Sequence, residues 1–233
     1  MNDRERSRLI VALDVPTRSE ALSFARRVGP HAGFLKVGSR LFTAEGPDLV
    51  RALKSAGHGI FLDLKYHDIP NTVAEAAAAA AGLGVDFFDV HASGGADMVR
   101  AAAEASREEA SRLGLPRPRL LAVTVLTSMP STVEQVTQLA RLARDAGADG
   151  VVASAQEARA VRDVTGSGFV IVTPGIRPAG AGRNDQRRVA TPAEAVASGA
   201  DYIVVGRPVL AADDPAAAAR AIVEEMQSAG VTP

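Results

Sequence analysis

Eight short apolar runs recur along this chain of 233 residues, and each is followed by a stretch carrying the start and stop signals of a helix. The runs are LIVAL at 9–13, FLKV at 34–37, IFLDL at 60–64, FFDV at 87–90, LLAVTV at 120–125, GVV at 150–152, FVIV at 169–172 and YIVV at 202–205. Runs this short and this apolar suit strands buried on both faces, the condition of a parallel sheet covered by helices. Between them, Thr17 with Glu20, Thr72 with Glu75, Ser131 with Glu134, Ser154 with Glu157 and Thr191 with Glu194 have the spacing of capping boxes. Proline follows Thr191 and Asp214, where its missing amide proton costs nothing. Gly57, Gly82, Gly114, Gly147 and Gly199 stand where a left-handed residue would stop each helix. Three strand entries also repeat a pattern: Gly84-Val85-Asp86, Gly147-Ala148-Asp149 and Gly199-Ala200-Asp201.

Eight such units in about this length predict an α/β fold, a single (β/α)8 TIM barrel, with a doubly wound open sheet as the competing arrangement. No linker-like segment interrupts the pattern, so residues 1–233 are expected to form one catalytic domain. The alanine tracts at 76–81, 101–103 and 216–219 read as helices, alanine being the best helix former.

With 23 % charged residues and a net charge of −1, the chain gives no electrostatic reason to expect nucleic acid or an anionic membrane as partner. It has no cysteine, which excludes disulfides and thiolate metal sites. No apolar run reaches membrane-spanning length and the N-terminal residues lack a leader-like apolar core, so a soluble cytoplasmic location is the default expectation.

In such a barrel the active site is built at the C-terminal ends of the strands. Those ends carry Asp14, Lys36, the pair Asp63 and Lys65, Asp89 with His91, Thr124 to Ser128, Ser154, Thr173, and Gly206 with Arg207. Asp63 and Lys65 are two apart, so strand alternation points both to the barrel mouth and turns Leu62 and Leu64 away. A structural ion pair explains a lone D-x-K. Four charges from Asp14, Lys36, Asp63 and Lys65 converging on one mouth are better explained by chemistry, because buried ions are costly unless paired. Asp68 lies on the following loop, where Pro70 restricts the backbone and Thr72 is expected to cap the next helix. His58 and His67 read as structural or exposed; His91 is open between the mouth and the core.

The connection at 173–188, TPGIRPAGAGRNDQRR, far exceeds the usual αβ and βα loop lengths and reads as a binding loop, with Arg177 suited to an anion. After the last apolar run, VVGRP places Gly206 for close backbone approach and Arg207 as a bidentate fork for phosphate. Phosphate commonly binds there, at the loops after strands seven and eight.

These stretches closely resemble the orotidine 5′-phosphate decarboxylases. The resemblance rests on VALDVP at 11–16, FLKVG at 34–38, DLKYHDIPNT at 63–72, VTVLTSM at 123–129, TPGIR at 173–177 and VVGRP at 204–208, in family order across nearly the whole chain. It implies decarboxylation of orotidine 5′-monophosphate to uridine 5′-monophosphate in pyrimidine nucleotide synthesis, with no metal and no organic cofactor. It further implies Lys65 as proton donor, Asp63 beside the reacting carboxylate, and Asp14 and Lys36 at the ribose. Thr127, or else the adjacent Ser128, would border the pyrimidine. Arg177, Gln186, Gly206 and Arg207 would hold the phosphate. Asp68 and Thr72 would reach the neighbouring subunit's site, so the active unit would be a homodimer with shared sites.

Two other readings use the same residues. A metal-dependent phosphosugar decarboxylase or epimerase would draw on Asp63, Asp89 and His91, although metal sites favour denser histidine and carboxylate clusters. A catalytically silent nucleotide-binding barrel would not need the Asp63, Lys65 and Asp68 set together with Lys36.

Overall fold

The computed structural model describes residues 3–178 and 189–228. Its eight parallel strands close into a barrel in sequence order. They are β1 (Leu9–Ala12), β2 (Phe34–Gly38), β3 (Gly59–Tyr66), β4 (Phe87–His91), β5 (Arg119–Val123), β6 (Gly150–Val152), β7 (Val170–Thr173) and β8 (Tyr202–Val205). β1 pairs with both β2 and β8, so none of these eight strands is left as an edge and the open doubly wound sheet is ruled out. A helix follows every strand, from Arg18–Val28 after β1 to Pro215–Ser228 after β8. Among the described residues no helix is long and apolar enough to cross a membrane.

Strand alternation sorts the core into two layers. Leu9, Val11, Leu35, Leu62, Phe88 and Val205 face outward into the apolar layer beneath the helices. Ile10, Ala12, Phe61, Phe87, Leu121, Val172 and Val204 face inward and fill the barrel. Phe87 is the hub of the lower part of that filling, edge-on to Phe34 at 4.9 Å and to Tyr202 at 5.3 Å between ring centroids. Two residues further along each strand, the inward position belongs to the mouth: Lys36 follows Phe34, Asp63 follows Phe61 and Asp89 follows Phe87. An aromatic plug below thus fixes the level at which the charged layer begins.

The repeated Gly-x-Asp has a structural cause. The carboxylates of Asp86, Asp149 and Asp201 accept the amide protons of Ile60, Leu120 and Ile171 at 2.7, 2.8 and 2.8 Å. Each is also paired with a cation, namely Lys54, Arg117 and Arg162. Each aspartate therefore ties the start of one strand to the start of the preceding one at the N-terminal end of the barrel.

Several local expectations shift. Thr17 and Thr191 cap their helices as expected, and Glu157 accepts hydrogen bonds from both the Ser154 amide and its hydroxyl. The box expected at Ser131 and Glu134 forms one residue later, between Thr132 and Gln135, because the Ser131 hydroxyl donates to Glu157 instead. Thr72 is not a cap: its helix begins at Pro70 with Ile69 in the cap position, since proline's fixed φ and missing N–H suit the first turn. Gly82 ends that helix without leaving the helical region, and Gly84, at φ 68°, makes the left-handed turn.

One close approach tests the barrel's construction. A Cβ on Gly150 would lie 2.3 Å from the Val170 carbonyl oxygen, so β6 and β7 have no room for a side chain there. Gly150→Ala is expected to lose about 1–3 kcal/mol of stability, seen as a lower urea midpoint with an unchanged slope; an unaltered midpoint would contradict this packing.

Candidate active site

At the C-terminal end of the barrel, the Asp63 carboxylate sits between two ammonium groups. Lys36 Nζ lies 2.8 Å from its Oδ2, and Lys65 Nζ donates to its Oδ1. Asp14, just beyond β1, is more exposed and lies 3.7 Å from Lys36 Nζ. The side chains of Lys36 and Asp63 are only 12 % and 11 % exposed, against 33 % for Lys65, so the lysine pointing into the open cavity is Lys65.

Burial alone would lower the Lys36 pKa, but the charges of Asp63 and Asp14 outweigh it and the net shift is upward. Burial alone would raise Asp63, yet the two lysine charges hold its carboxyl well below the usual carboxylate range. Asp89 behaves oppositely: complete burial, and then the nearby Asp63 charge, push it well above that range.

The sequence reading takes Asp63 and Lys65 as neighbours on a regular strand. They do share the mouth, but the strand is irregular between them. The β3–β4 register shifts between Leu62 and Tyr66, and Lys65 has φ 51°, the sole positive φ among described residues other than glycine. Its amide donates to Asp89 Oδ1 at 2.8 Å rather than to a strand carbonyl.

Three connected lobes meet at Lys36 and Asp63. The first, about 170 Å³, is mainly apolar, running from Asp63, Lys65 and Asp89 past Phe61, Val123, Leu126 and Thr127 to Pro174 and Val204. A second, about 310 Å³, lies between Asp14, Lys36 and the segment Gly38 to Leu41. The third, about 230 Å³, is bounded by the Pro174 to Arg177 turn, Gly206 and Arg207. There a Cβ on Gly206 would stand 3.3 Å from an Asp14 carboxylate oxygen, so glycine keeps that lobe open. A larger hollow, about 680 Å³, lies at the opposite end among Phe34, Asp86, Arg119 and Tyr202. Of its cations, Lys54 and Arg117 are paired with Asp86 and Asp149, and Arg119 donates to the Tyr202 hydroxyl and lies over the Phe87 ring; in a barrel of this type the chemistry belongs to the other, C-terminal end.

Of the residues singled out from sequence, Asp14, Lys36, Asp63, Lys65, Thr127, Arg177, Gly206 and Arg207 all line these lobes. Thr127 borders the apolar lobe while Ser128 is exposed outside it. Gln186 and most of the 173–188 connection lie outside the described residues. Asp68 and Thr72 are exposed and line none of the lobes; Asp68 Oδ1 accepts the Ile69 amide at 2.6 Å. His91 also lines none of them, its ring packing against His67 at 5.5 Å. Arg40 is a lining residue that the sequence reading did not single out, and Asp89 is one to which it gave a role only in the alternative, metal-dependent reading. For Asp89 the signal was present, because it stands two positions after Phe87 as Asp63 does after Phe61. Among the described residues no group of three His, Asp or Glu side chains is placed to hold a metal ion.

The fold and mouth define a class: a (β/α)8 barrel enzyme that sets a lysine–aspartate–lysine network where an apolar slot meets an arginine-lined lobe. Within that class the chain belongs to the Orotidine 5′-phosphate decarboxylase / HUMPS family, whose profile matches residues 7–222. It is 54% identical over 234 residues to the orotidine 5′-phosphate decarboxylase of Moorella thermoacetica, covering 95% of this chain and 93% of that one. The corresponding protein of Nitrosococcus oceani is 51% identical, with 96% and 99% covered. The crystal structure of the Lactobacillus acidophilus enzyme superposes with a TM-score of 0.83 at 41% identity, covering 94% of this chain and 98% of that chain.

The depressed Asp63 pKa has a sign that can be checked. Its folded pKa lies below the unfolded value of about 3.9, so its charge supports folding above that pH, and the support is lost as pH falls through the folded pKa. The stability of the wild type relative to Asp63→Asn is therefore expected to decline as pH is lowered from about 5 to about 2 in urea unfolding. A gap independent of pH would contradict the charge placement.

Proposed function

We propose that this chain catalyses the decarboxylation of orotidine 5′-monophosphate to uridine 5′-monophosphate and carbon dioxide, as a cytoplasmic homodimer acting in pyrimidine nucleotide synthesis. The observation that carries the reading is the Asp63 carboxylate wedged between Lys36 and Lys65 at the end of an apolar slot, with an arginine-lined lobe beyond. The slot accommodates a flat ring, the Asp14 and Lys36 side offers partners for ribose hydroxyls, and Arg177 with Arg207 suits the phosphate.

The chemistry follows from charge. The bond from the ring carbon to the carboxylate breaks, its electron pair stays on the ring carbon, and carbon dioxide leaves. Lys65 stabilises the developing negative charge and delivers a proton to that carbon, then regains one from solvent. Two unit charges about 4 Å apart at an effective dielectric near 20 interact by about 4 kcal/mol. Expressed only in the transition state, that corresponds to several hundredfold or more in rate, roughly. Asp63 holds the ammonium in place and disfavours the substrate carboxylate that leaves. Lys36 anchors Asp63 from the other side. Phosphate contacts far from the reacting carbon supply binding energy for this alignment.

Asp68 enters through the second subunit. It stands next to Ile69, a large apolar residue 66% exposed at the start of a helix, which suits a covered position between protomers. In that arrangement Asp68 and Thr72 complete the partner's site rather than their own.

The direct test is the change in pyrimidine absorbance when purified protein meets orotidine 5′-monophosphate, with a strong chelator and no added metal; absence of turnover by folded protein would overturn the reading. Lys65→Ala is expected to lower kcat by at least about 10³-fold while uridine 5′-monophosphate binding persists. Retention of more than a few per cent of the rate would remove Lys65 from its role. Asp68→Ala and Lys65→Ala proteins should each be nearly inactive alone. Equal mixing with subunit exchange should restore about a quarter of wild-type activity, since about half the dimers are mixed and half their sites are whole. No recovery after demonstrated exchange would place Asp68 within its own chain's chemistry or outside it.

A further inference from the structure

Lys65 makes its turn under conditions that ordinary residues avoid. A residue with a Cβ at φ 51° costs roughly 1–2 kcal/mol against the usual regions, and persists only where neighbours hold it. The register shift removes the strand partner of its amide, and the group that takes that amide is the carboxyl of Asp89. Asp89 is 1% exposed, on β4, directly above Phe87 and lining the apolar slot. Its Oδ1 accepts the Lys65 N–H at 2.8 Å, whereas its buried Oδ2 meets no hydrogen-bond partner among the described residues. The Asp63 carboxyl lies within side-chain hydrogen-bond reach of it.

Two carboxylates so close and so buried repel each other, and one proton between them removes the conflict. Asp63 has two ammonium partners and keeps its charge; Asp89 has none as near and is the group that takes the proton. The other groups acting on the pair are consistent with this. Lys65 opposes protonation of Asp89, but Lys36 is committed to Asp63, and the β5 residue opposite Asp89 is the uncharged Leu121.

We propose that Asp89 is the positioning residue for Lys65: a carboxylic acid kept protonated, whose carbonyl oxygen holds the lysine's left-handed backbone and whose hydroxyl donates to Asp63. The inference rests on the assignment of Lys65 as proton donor. The direction of the Asp89 shift, upward through burial and the Asp63 charge, agrees with the geometry. A neutral donor at this point stiffens Asp63 without adding a second negative charge where the substrate carboxylate must bind. It also fixes the backbone from which the Lys65 ammonium projects.

Asparagine reproduces both roles, with a carbonyl for the Lys65 amide and an N–H for Asp63; alanine reproduces neither. Asp89→Ala is expected to lower kcat by about 10²-fold with a smaller change in KM, the effect of misplacing a catalytic group. Asp89→Asn should recover kcat to within about tenfold of wild type. Equal losses in the two variants, or no loss in Asp89→Ala, would overturn the proposal. Infrared spectra provide a readout that needs neither turnover nor the alanine variant's folding. At neutral pH the wild type should show the carbonyl stretch of a protonated carboxyl group that is missing from Asp89→Asn. Its absence from an active wild-type enzyme would refute the neutral Asp89 while leaving the decarboxylase reading intact; its presence in an inactive wild type would do the reverse.

Discussion

Asp63 is a buried anion held by two cations, and much of the mouth is arranged around the cost of keeping it there. A carboxylate this enclosed would normally take up a proton, since burial penalises charge. Lys36 and Lys65 reverse that preference, and each has a different reach into the molecule. Lys36 projects from the middle of β2 and is nearly as enclosed as Asp63 itself. Lys65 comes from the irregular end of β3 and opens onto the slot. The pairing therefore yields one enclosed ion pair and one more open ammonium at the slot, from three residues on two adjacent strands.

The barrel beneath makes that arrangement possible. Phe34, Phe61, Phe87 and Tyr202 pack edge-on against one another and fill the interior below the mouth. Period-two alternation then lifts the next inward residues, Lys36, Asp63 and Asp89, into the charged layer together. At the N-terminal end, the aspartates of the Gly-x-Asp entries tie strand starts together in pairs, β3 to β4, β5 to β6 and β7 to β8. The aromatic level and the strand-start ties both act on register, and register decides whether three ionisable side chains from three strands meet or miss.

What could be read in the sequence was what depends on period and local chemistry. The eight apolar runs, most helix starts and the strand-end charges at Asp14, Lys36 and Asp63 follow from alternation and capping, which act within a few residues. The start of the helix after β3 was misplaced because Pro70 and Thr72 compete for it, and proline's fixed φ outweighs the threonine's hydroxyl. The left-handed turn at Lys65 was not legible, since nothing in D-L-K-Y marks a lysine for a conformation usually left to glycine. Its cause lies on another strand, in Asp89, and appears only when β3 and β4 are side by side. Asp68 and Thr72 show the opposite limit: they were picked out through family resemblance, and within one chain they stand apart from the lobes.

The account turns on a positive charge at position 65 that can also give up a proton. The chain contains no cysteine, so a Lys65→Cys variant would carry a single thiol, open to selective alkylation. Treating it with 2-bromoethylamine rebuilds an ammonium at nearly the original distance from the backbone. The measurement is decarboxylation of orotidine 5′-monophosphate before and after complete alkylation. The account predicts an almost inactive variant that regains a substantial part of wild-type kcat with the ammonium and nothing with a neutral alkyl group of similar size. Full alkylation without recovery, or equal recovery with the neutral group, would contradict it.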